Sequence, residues 1–220
     1  MARHGESKHF KRSVVTASLV IPRKKYKYYT KPLPGKHSSK DGVSILGFLR
    51  DVLKIAANAR EARYLIKNGY VFVDGKKVIE EKYVVGFSDI VSVKDNYFLV
   101  WLSGKGKLIS VNKDEKIDSK LIKVMSKHKG KKGMNILFTN DSRNIVYPKD
   151  DVQINDSVNL DLKSYSITGK IPFESGKNII VFSGKNAGKK GVIKEINDGS
   201  VTVSGEEGDF VVSAKSCMVI

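Results

Sequence analysis

The chain has 220 residues, 40% of them hydrophobic, and its 40 lysines and arginines exceed its 23 acidic residues by a net charge of +17. This length suits one large domain or two to three small ones, and no apolar run approaches the roughly 18–20 residues that cross a bilayer. The charged start excludes a secretory signal peptide, and the single cysteine, Cys217, excludes an internal disulfide and a cysteine-based zinc site.

The positive charge predicts a polyanionic partner, because self-repulsion at this charge destabilises a compact chain until a polyanion neutralises it. No basic amphipathic helix with an aromatic face is present, so nucleic acid is favoured over a membrane surface. The charge is concentrated early in the chain, since residues 1–40 contain 11 lysines and arginines and one acidic residue, Glu6.

Residues 1–42 are predicted to form a basic arm rather than a domain, because lysines alternate with tyrosines in KKYKYY and prolines prevent a long helix. Such an arm orders on RNA, with cations on phosphates and tyrosines on unpaired bases. The alternative is a disordered soluble tail. The arm residues expected to contact RNA are Arg3, Lys8, Lys11, Arg12, Arg23, Lys24, Lys25 and Lys27.

Residues 43–95 are predicted to form a compact α/β module that starts with two helices. Apolar residues recur at helical spacing over residues 45–56. Asn58 is expected to cap a second helix, with Glu61 as its capping-box partner, and Gly69 is expected to end it in the left-handed conformation.

A β-hairpin is predicted next, with strands at Tyr70–Val73 and Lys76–Ile79 around an Asp74-Gly75 turn, and a further strand at Ile90–Val93. A helix pair followed by GYVFVDGKKV resembles the S4-type RNA-binding domain. That resemblance implies RNA contacts, and the alternative for each residue is an ordinary solvated charged face. The implied contacts are Arg50, Lys54, Arg60, Arg63, Lys67, Lys76 and Lys77.

Residues 96–172 are predicted to be β-rich, with two strands around Gly104-Lys105-Gly106. The segment SKHKGKKGMN then places basic residues on a glycine-rich turn. The residues of this turn expected to contact RNA are Lys129, Lys131 and Lys132.

Residues 173–220 are predicted to form a small β module whose loop SGKNAGKKGVI resembles a nucleotide-binding loop at first sight. A phosphate loop requires G-x-x-x-x-G-K followed by Ser or Thr and then a helix. Here three residues separate Gly184 from Gly188, Lys190 stands where the Ser or Thr is needed, and β-branched residues follow. A nucleotide-binding loop is therefore disfavoured.

The same loop matches the KOW motif, a strand–loop–strand unit of SH3-like barrels found in ribosomal proteins and transcription elongation factors. The glycines permit positive φ and close backbone approach. Lys185, Lys189 and Lys190 are predicted to project from the loop towards RNA phosphates.

The arm MARHGESKHFKR, the helix pair with YVFVDGKKV, and the KOW loop occur in an order that resembles the small-subunit ribosomal protein family S4e of archaea and eukaryotes. The predicted fold is α+β and multi-domain. It comprises a basic N-terminal arm at 1–42, an S4-type RNA-binding domain at 43–95, a β-rich central domain at 96–172 and a C-terminal KOW SH3-like β-barrel at 173–220.

The resemblance implies a structural constituent of the small ribosomal subunit that binds ribosomal RNA and neighbouring ribosomal proteins and is ribosome-bound in the cytoplasm. No cofactor, metal, membrane or small-molecule substrate is expected. Eukaryotic members carry a further basic C-terminal extension, whereas this sequence stops at Ile220, so the resemblance implies the archaeal form.

Two other functions compete with this interpretation. The four histidines lie in basic or loop segments, and neither HExxH nor GxSxG is present, so an RNA-modifying enzyme would need a catalytic domain that no stretch supplies. A KOW-bearing transcription factor that binds polymerase is not excluded by the KOW loop alone. The arm and the helix pair argue against it, because both are suited to folded RNA.

Overall fold

The computed structural model describes residues 9–16, 18–22, 24, 26–130, 133–206 and 208–220. The chain divides into two compact units. Unit 1 contains residues 1–100 and 108–114, and unit 2 contains residues 101–107 and 115–220.

The N-terminal segment of unit 1 forms a small sheet. Strand β1 (His9–Lys11) pairs antiparallel with β2 (Tyr28–Thr30), and the stacked rings of Phe10 and Tyr29 lie 6.2 Å apart. A 3-10 helix at Arg12–Val14 follows β1. The apolar side chains buried in this segment are Val15, Leu19, Ile21 and Tyr29. The prediction that the arm orders only on RNA therefore differs from the structure, because its own apolar residues attach the described part to unit 1.

The first predicted helix is shorter than the sequence indicated. Helix α1 (Ile45–Gly47) begins after Ser44, whose hydroxyl accepts a hydrogen bond from the amide of Gly47, and it continues as a π-helix over Phe48–Val52. Lys54 adopts a positive φ of 58°, which helical backbone does not permit. The apolar residues after the π-helix, up to residue 56, therefore pack without helical geometry.

Helix α2 (Ala59–Lys67) forms as its capping signals predicted. The Asn58 side-chain oxygen Oδ1 accepts hydrogen bonds from the amides of Arg60 and Glu61 at 2.9 and 3.0 Å. The Glu61 carboxylate accepts one from the amide of Ala57 at 2.8 Å. Gly69, with φ +75°, follows the helix in the left-handed conformation.

A five-stranded antiparallel sheet lies after the helices in the order β5-β4-β7-β8-β9. Its strands are β4 (Val71–Val73), β5 (Lys76–Lys77), β7 (Ile90–Val93), β8 (Asn96–Leu102) and β9 (Leu108–Lys113). A separate pair joins β3 (Val43–Ser44) to β6 (Val84–Val85). Asp74 and Gly75 both have positive φ, as a type I′ hairpin turn requires. Because Val93 pairs with Asn96, the sheet continues across the boundary expected at residues 95 and 96.

The first sheet of unit 2 has the order β12-β11-β10-β13-β14. Its strands are β10 (Ser119–Lys129), β11 (Asn135–Thr139), β12 (Asn144–Tyr147), β13 (Ser157–Asp161) and β14 (Ile167–Ile171). Its core contains Ile122, Val124, Leu137, Val158 and Leu160, all fully buried.

The second sheet of unit 2, called the C-terminal sheet here, has the order β18-β17-β16-β15-β19. Its strands are β15 (Asn178–Val181), β16 (Lys190–Asn197), β17 (Ser200–Gly205), β18 (Gly208–Ser213) and β19 (Cys217–Val219), with a 3-10 helix at Ala214–Ser216 before the last. Alternate residues of these strands, including Ile179, Val181 and Val203, fill its core together with Cys217.

The fold class is confirmed in its coarse form. The described residues form several antiparallel sheets with few helices, which is a β-rich α+β architecture. The last fifty residues, which the sequence predicted to be a small β module, contain strands β15 to β19.

Candidate nucleic-acid interface

The N-terminal segment presents exposed lysines beside exposed tyrosines. Lys11, Lys24 and Lys27 are exposed, and the Lys27 ammonium lies 5.4 Å from the ring centroid of Tyr28. Both Tyr26 and Tyr28 are about half exposed. This pairing of cations with accessible aromatic rings suits phosphates and unstacked bases. The predicted contacts Arg3, Lys8, Arg23, Lys25, Lys131 and Lys132 lie outside the described residues.

Arg12 differs from the other predicted contacts because it is buried, with 1% of its surface exposed. Its guanidinium donates to the carbonyls of Tyr28 and Pro22 at 3.1 and 2.8 Å and pairs with Asp51 at 3.3 Å. Arg50 donates to the same carboxylate at 2.7 and 3.1 Å. These bonds engage both arginines within unit 1, where they hold the N-terminal segment against the π-helix.

Helix α2 and the following hairpin present a basic surface. Arg60, Arg63 and Lys67 lie exposed along the helix, and Arg63 forms an ion pair with Glu81. Lys54, Lys76 and Lys77 are exposed as well. The stem of Lys77 passes so close to Gly69 that a Cβ there would lie 1.9 Å from the lysine Cε. The glycine that ends α2 therefore also makes room for a lysine of the hairpin.

Sequence reasoning missed a buried ionic cluster behind this hairpin. Lys36 donates to Asp74 at 2.7 Å and to Asp89 at 2.9 Å, and His37 lies 3.0 Å from the other oxygen of Asp89. Asp74 also accepts a bond from the amide of Ile90. The cluster ties the end of the N-terminal segment to the hairpin turn. Its members are far apart in sequence, so only the pairing of elements reveals it.

The predicted contact Lys129 is the last residue of β10, before the turn to β11, and it is exposed. Its neighbour Lys127 is partly buried, donates to the carbonyl of Val152 at 2.8 Å and pairs with Asp150. The side chain of Lys127 is thus engaged within the sheet, whereas Lys129 is available at its edge.

The loop of residues 183–190, called the glycine–lysine loop here, closes tightly on its own backbone. The amide of Gly188 donates to the carbonyl of Val181 at 2.7 Å, and Gly184 and Gly188 adopt φ of +88° and +87°. Lys185 and Lys190 are exposed and Lys189 is half-buried. Strand β16 begins at Lys190 itself. A strand and not a helix follows the loop, which is consistent with a nucleotide-binding loop being disfavoured.

Two lysines of strand β10 that no sequence signal singled out are fully buried. Lys120 pairs with Asp141 at 3.0 Å, and Arg143 pairs with the same carboxylate at 3.0 Å. Burial raises the pKa of Asp141, but the charges of Lys120 and Arg143 and a bond from Thr139 outweigh burial and leave that pKa below its ordinary value. These groups stabilise the sheet and are closed to an external ligand.

Lys123 is the second buried lysine. Its ammonium donates to the carbonyls of Ala214 and Cys217, the latter at 2.6 Å, and lies 5.4 Å from the ring centroid of Phe173. Burial lowers the pKa of Lys123 to about 8 and raises the pKa of the neighbouring Cys217 thiol. Both groups act inside unit 2, and Cys217 is buried.

Comparison with known proteins identifies the family. A model described as ribosomal family S4e matches residues 94–167. The small ribosomal subunit protein eS4 of Methanococcus maripaludis strain C5 is 33% identical over 100% of this chain and 96% of its own length. The chain belongs to the ribosomal S4e family.

Further relatives of this S4e protein agree with that assignment. The eS4 protein of Methanocaldococcus jannaschii is 36% identical and aligns with 89% of this chain and 84% of its own. The crystal structure of the 30S ribosomal protein S4e from Thermoplasma acidophilum matches with a TM-score of 0.70 at 28% identity, over 82% of this chain and 95% of that one. The resemblance to the S4e family inferred from the sequence is confirmed, and these three relatives come from archaea.

Membership in the S4e family makes this chain a ribosomal protein and not an enzyme, as predicted. Among the described residues, no group of His, Cys, Asp and Glu side chains is placed to hold a metal ion. No helix in the described part of the chain is long and apolar enough to cross a membrane. The individual RNA contacts stay predictions.

Proposed function

We propose that this protein is a structural constituent of the small ribosomal subunit, ribosome-bound in the cytoplasm, that binds ribosomal RNA through several basic surfaces. Family membership supports the ribosomal role, since the eS4 relatives are named as small ribosomal subunit proteins. The single observation that carries RNA binding is the accessibility of the basic residues in a chain of net charge +17.

The proposed RNA surface consists of the accessible members of the predicted set. They are Lys11, Lys24, Lys27, Lys54, Arg60, Arg63, Lys67, Lys76, Lys77, Lys129, Lys185, Lys189 and Lys190. Arg12 and Arg50 are assigned instead to positioning, because their guanidiniums bond within unit 1. The partners are ribosomal RNA and adjacent ribosomal proteins.

The finer architecture is proposed along the same lines. Helix α2 with the β4–β5 hairpin supports an S4-type RNA-binding domain, because both elements carry exposed lysines or arginines. The C-terminal sheet with its glycine–lysine loop supports a KOW-type SH3-like barrel, since the loop joins two antiparallel strands as that motif requires. The domain limits proposed from the sequence place these modules at residues 43–95 and 173–220.

The mechanism is electrostatic. Lysines and arginines on these surfaces neutralise phosphates and release condensed counterions, so the affinity falls steeply with salt. Recognition proceeds mainly by the shape of folded RNA, because structured RNA offers phosphates and hydroxyls more readily than base edges. The buried ionic clusters keep the basic elements in fixed positions and so reduce the ordering cost of binding.

The test is sedimentation of the tagged, full-length protein from cell lysate, with and without washing at moderate salt. We expect it to co-sediment with small ribosomal subunits and to resist the wash. A protein that stays at the top of the gradient, or that travels with RNA polymerase, would contradict the proposal. Travel with polymerase would favour a transcription factor that uses the glycine–lysine loop.

A further inference from the structure

A cleft in unit 2 lies between the glycine–lysine loop and a second glycine loop at residues 103–107. The two loops touch backbone to backbone. A Cβ on Gly188 would lie 2.0 Å from the carbonyl oxygen of Ser103 and 2.4 Å from the amide nitrogen of Gly106, and a Cβ on Gly106 would lie 2.7 Å from the carbonyl oxygen of Ala187. Only glycine permits this approach, so the sequence builds one composite rim from two distant loops.

The cleft has a volume of about 480 Å³, which is enough for one nucleotide. Its apolar wall is formed by Leu102 and Phe210, and its rim carries Lys105, Lys189 and Lys190. The Lys189 ammonium lies 5.5 Å from the ring centroid of Phe210. One side of the cleft therefore combines an aromatic surface with positive charge, as sites for single-stranded nucleic acid do.

The charged groups that line the cleft have opposite signs, so they can orient a bound nucleotide. Lys105 and Lys190 are exposed lining residues, and Glu206 is the acidic lining residue among those that the structure describes and is exposed as well. A phosphate is attracted to the lysines and repelled by the carboxylate. The carboxylate is instead an acceptor for the N–H groups of a base edge.

We propose that this cleft binds one unstacked nucleotide of RNA, with its phosphate at Lys105 and Lys190 and its base against the Leu102–Phe210 wall. The inference rests on the proposed RNA-binding function and adds Lys105 and Phe210 to it. An unstacked nucleotide of an RNA loop would contact an aromatic ring and cationic groups together in this cleft. A free mononucleotide shares the same chemistry, and the experiment separates the two sources.

The first experiment measures the affinity of the full-length protein for small-subunit ribosomal RNA at several salt concentrations. Phe210→Leu keeps the apolar packing but removes the aromatic ring. We expect a loss of about fivefold or more in affinity with an unchanged salt slope, because a base contact with an aromatic ring is lost. Phe210→Trp restores the ring and is expected to recover the affinity. Lys105→Ala is expected to lower both the affinity and the salt slope, the latter by about 0.7–0.9.

Lys177→Ala is the matched control, since Lys177 is exposed beside the same sheet but does not line the cleft. Two results together would overturn the cleft as a nucleotide site while the proposed RNA binding stands. The first is wild-type affinity in both Phe210→Leu and Lys105→Ala. The second is weak binding when Lys185, Lys189 and Lys190 are all replaced by alanine. Absence of RNA binding by the wild-type protein would overturn both.

The second experiment identifies the occupant directly. Assembled subunits are irradiated with ultraviolet light and digested with trypsin, and the peptide Glu195–Lys215, which contains Phe210, is analysed for a nucleotide adduct. We expect the adduct in wild type and its loss in Phe210→Leu. In parallel, 5′-AMP is titrated into the free protein. Saturation below about 1 mM without an RNA adduct on this peptide would assign the cleft to a free nucleotide and overturn the RNA assignment.

Discussion

At the scale of single residues, the buried lysine Lys123 shows how basic side chains serve the interior of this protein. Its ammonium is held by the carbonyls of Ala214 and Cys217, so a residue of strand β10 secures the turn before β19. Burial disfavours the charged form, which is why the pKa of Lys123 falls from 10.5 to about 8.

Lys123→Met is predicted to remove a pH-dependent part of the free energy of unfolding. Below pH 8 the lysine is protonated in the folded and the unfolded chain, and the folded state carries the full cost of the buried charge. Between about pH 8 and 10.5 the unfolded chain binds more protons, so stability rises with pH by about 3 kcal/mol from this group and then levels off.

Urea unfolding of wild type and Lys123→Met at pH 7 and pH 10 checks this expectation. The stability of wild type relative to the variant should grow at the higher pH. The neighbouring Cys217 thiol acts in the same direction, because its raised pKa rises further without the nearby ammonium, and the variant then loses more stability as pH rises. A stability difference that shrinks towards pH 10 would contradict the assignment.

The residues that the sequence could not assign share one physical property: their partners are distant in the chain. Arg12 was predicted to contact RNA from its place in the basic stretch RHGESKHFKR, yet its partners include Asp51, 39 positions away. Lys105 has no local signal that distinguishes it from a turn lysine, and its place on the cleft depends on the contact between Gly106 and Gly188. Burial of a charged group is decided by such long-range contacts, which spacing does not encode.

At the scale of elements, local signals were sufficient for helix caps and hairpin turns. The Asn58 cap, the Gly69 stop and the Asp74-Gly75 turn each act within four residues, and each forms as predicted. The order of the N-terminal segment was not predicted, because it comes from pairing across the 17 to 21 positions that separate partners in β1 and β2. The pattern of charges in the sequence predicted the exposed basic residues of this segment, but not its contacts with the rest of unit 1.

Asn58→Ala is predicted to destabilise unit 1 by about 1 kcal/mol, because two amides of α2 lose their acceptor. The midpoint of urea unfolding measures this loss. Asn58→Ser is the matched control, since serine caps helices about as well as asparagine. Equal midpoints for the alanine and serine variants would show that solvent replaces the cap at no cost.

Replacing Lys185, Lys189 and Lys190 together by alanine is predicted to weaken RNA binding and to flatten its salt dependence. Three lost phosphate contacts lower the slope of log affinity against log salt by about 2–3. A control that replaces Lys113, Lys116 and Lys177 removes the same charge from exposed positions outside the proposed surface. Filter binding across a salt series distinguishes them, and equal slopes in both triple variants would reject a specific role for the loop.

At the scale of the whole molecule, the net charge of +17 must be reconciled with folding. Part of the answer is internal pairing, since Asp51 and Asp141 each pair with two cationic side chains. Many other cations of the described residues lie exposed and repel one another over long range. Under the proposed function, the phosphates of ribosomal RNA neutralise this excess. The isolated protein is therefore expected to be destabilised by repulsion among its own surface cations.

Raising sodium chloride from about 10 mM to about 150 mM is therefore predicted to raise the Tm of the isolated protein. The screening length falls from about 30 Å to about 8 Å over that range, which suppresses repulsion between distant surface cations while the buried pairs are little affected. Each kilocalorie gained should raise the Tm by about 2–4 °C in a chain of this size. Differential scanning calorimetry at pH 7 measures the shift. A Tm that falls with salt would mean that attractive surface pairs outweigh the repulsion, and the excess charge would then not limit the stability of the free protein.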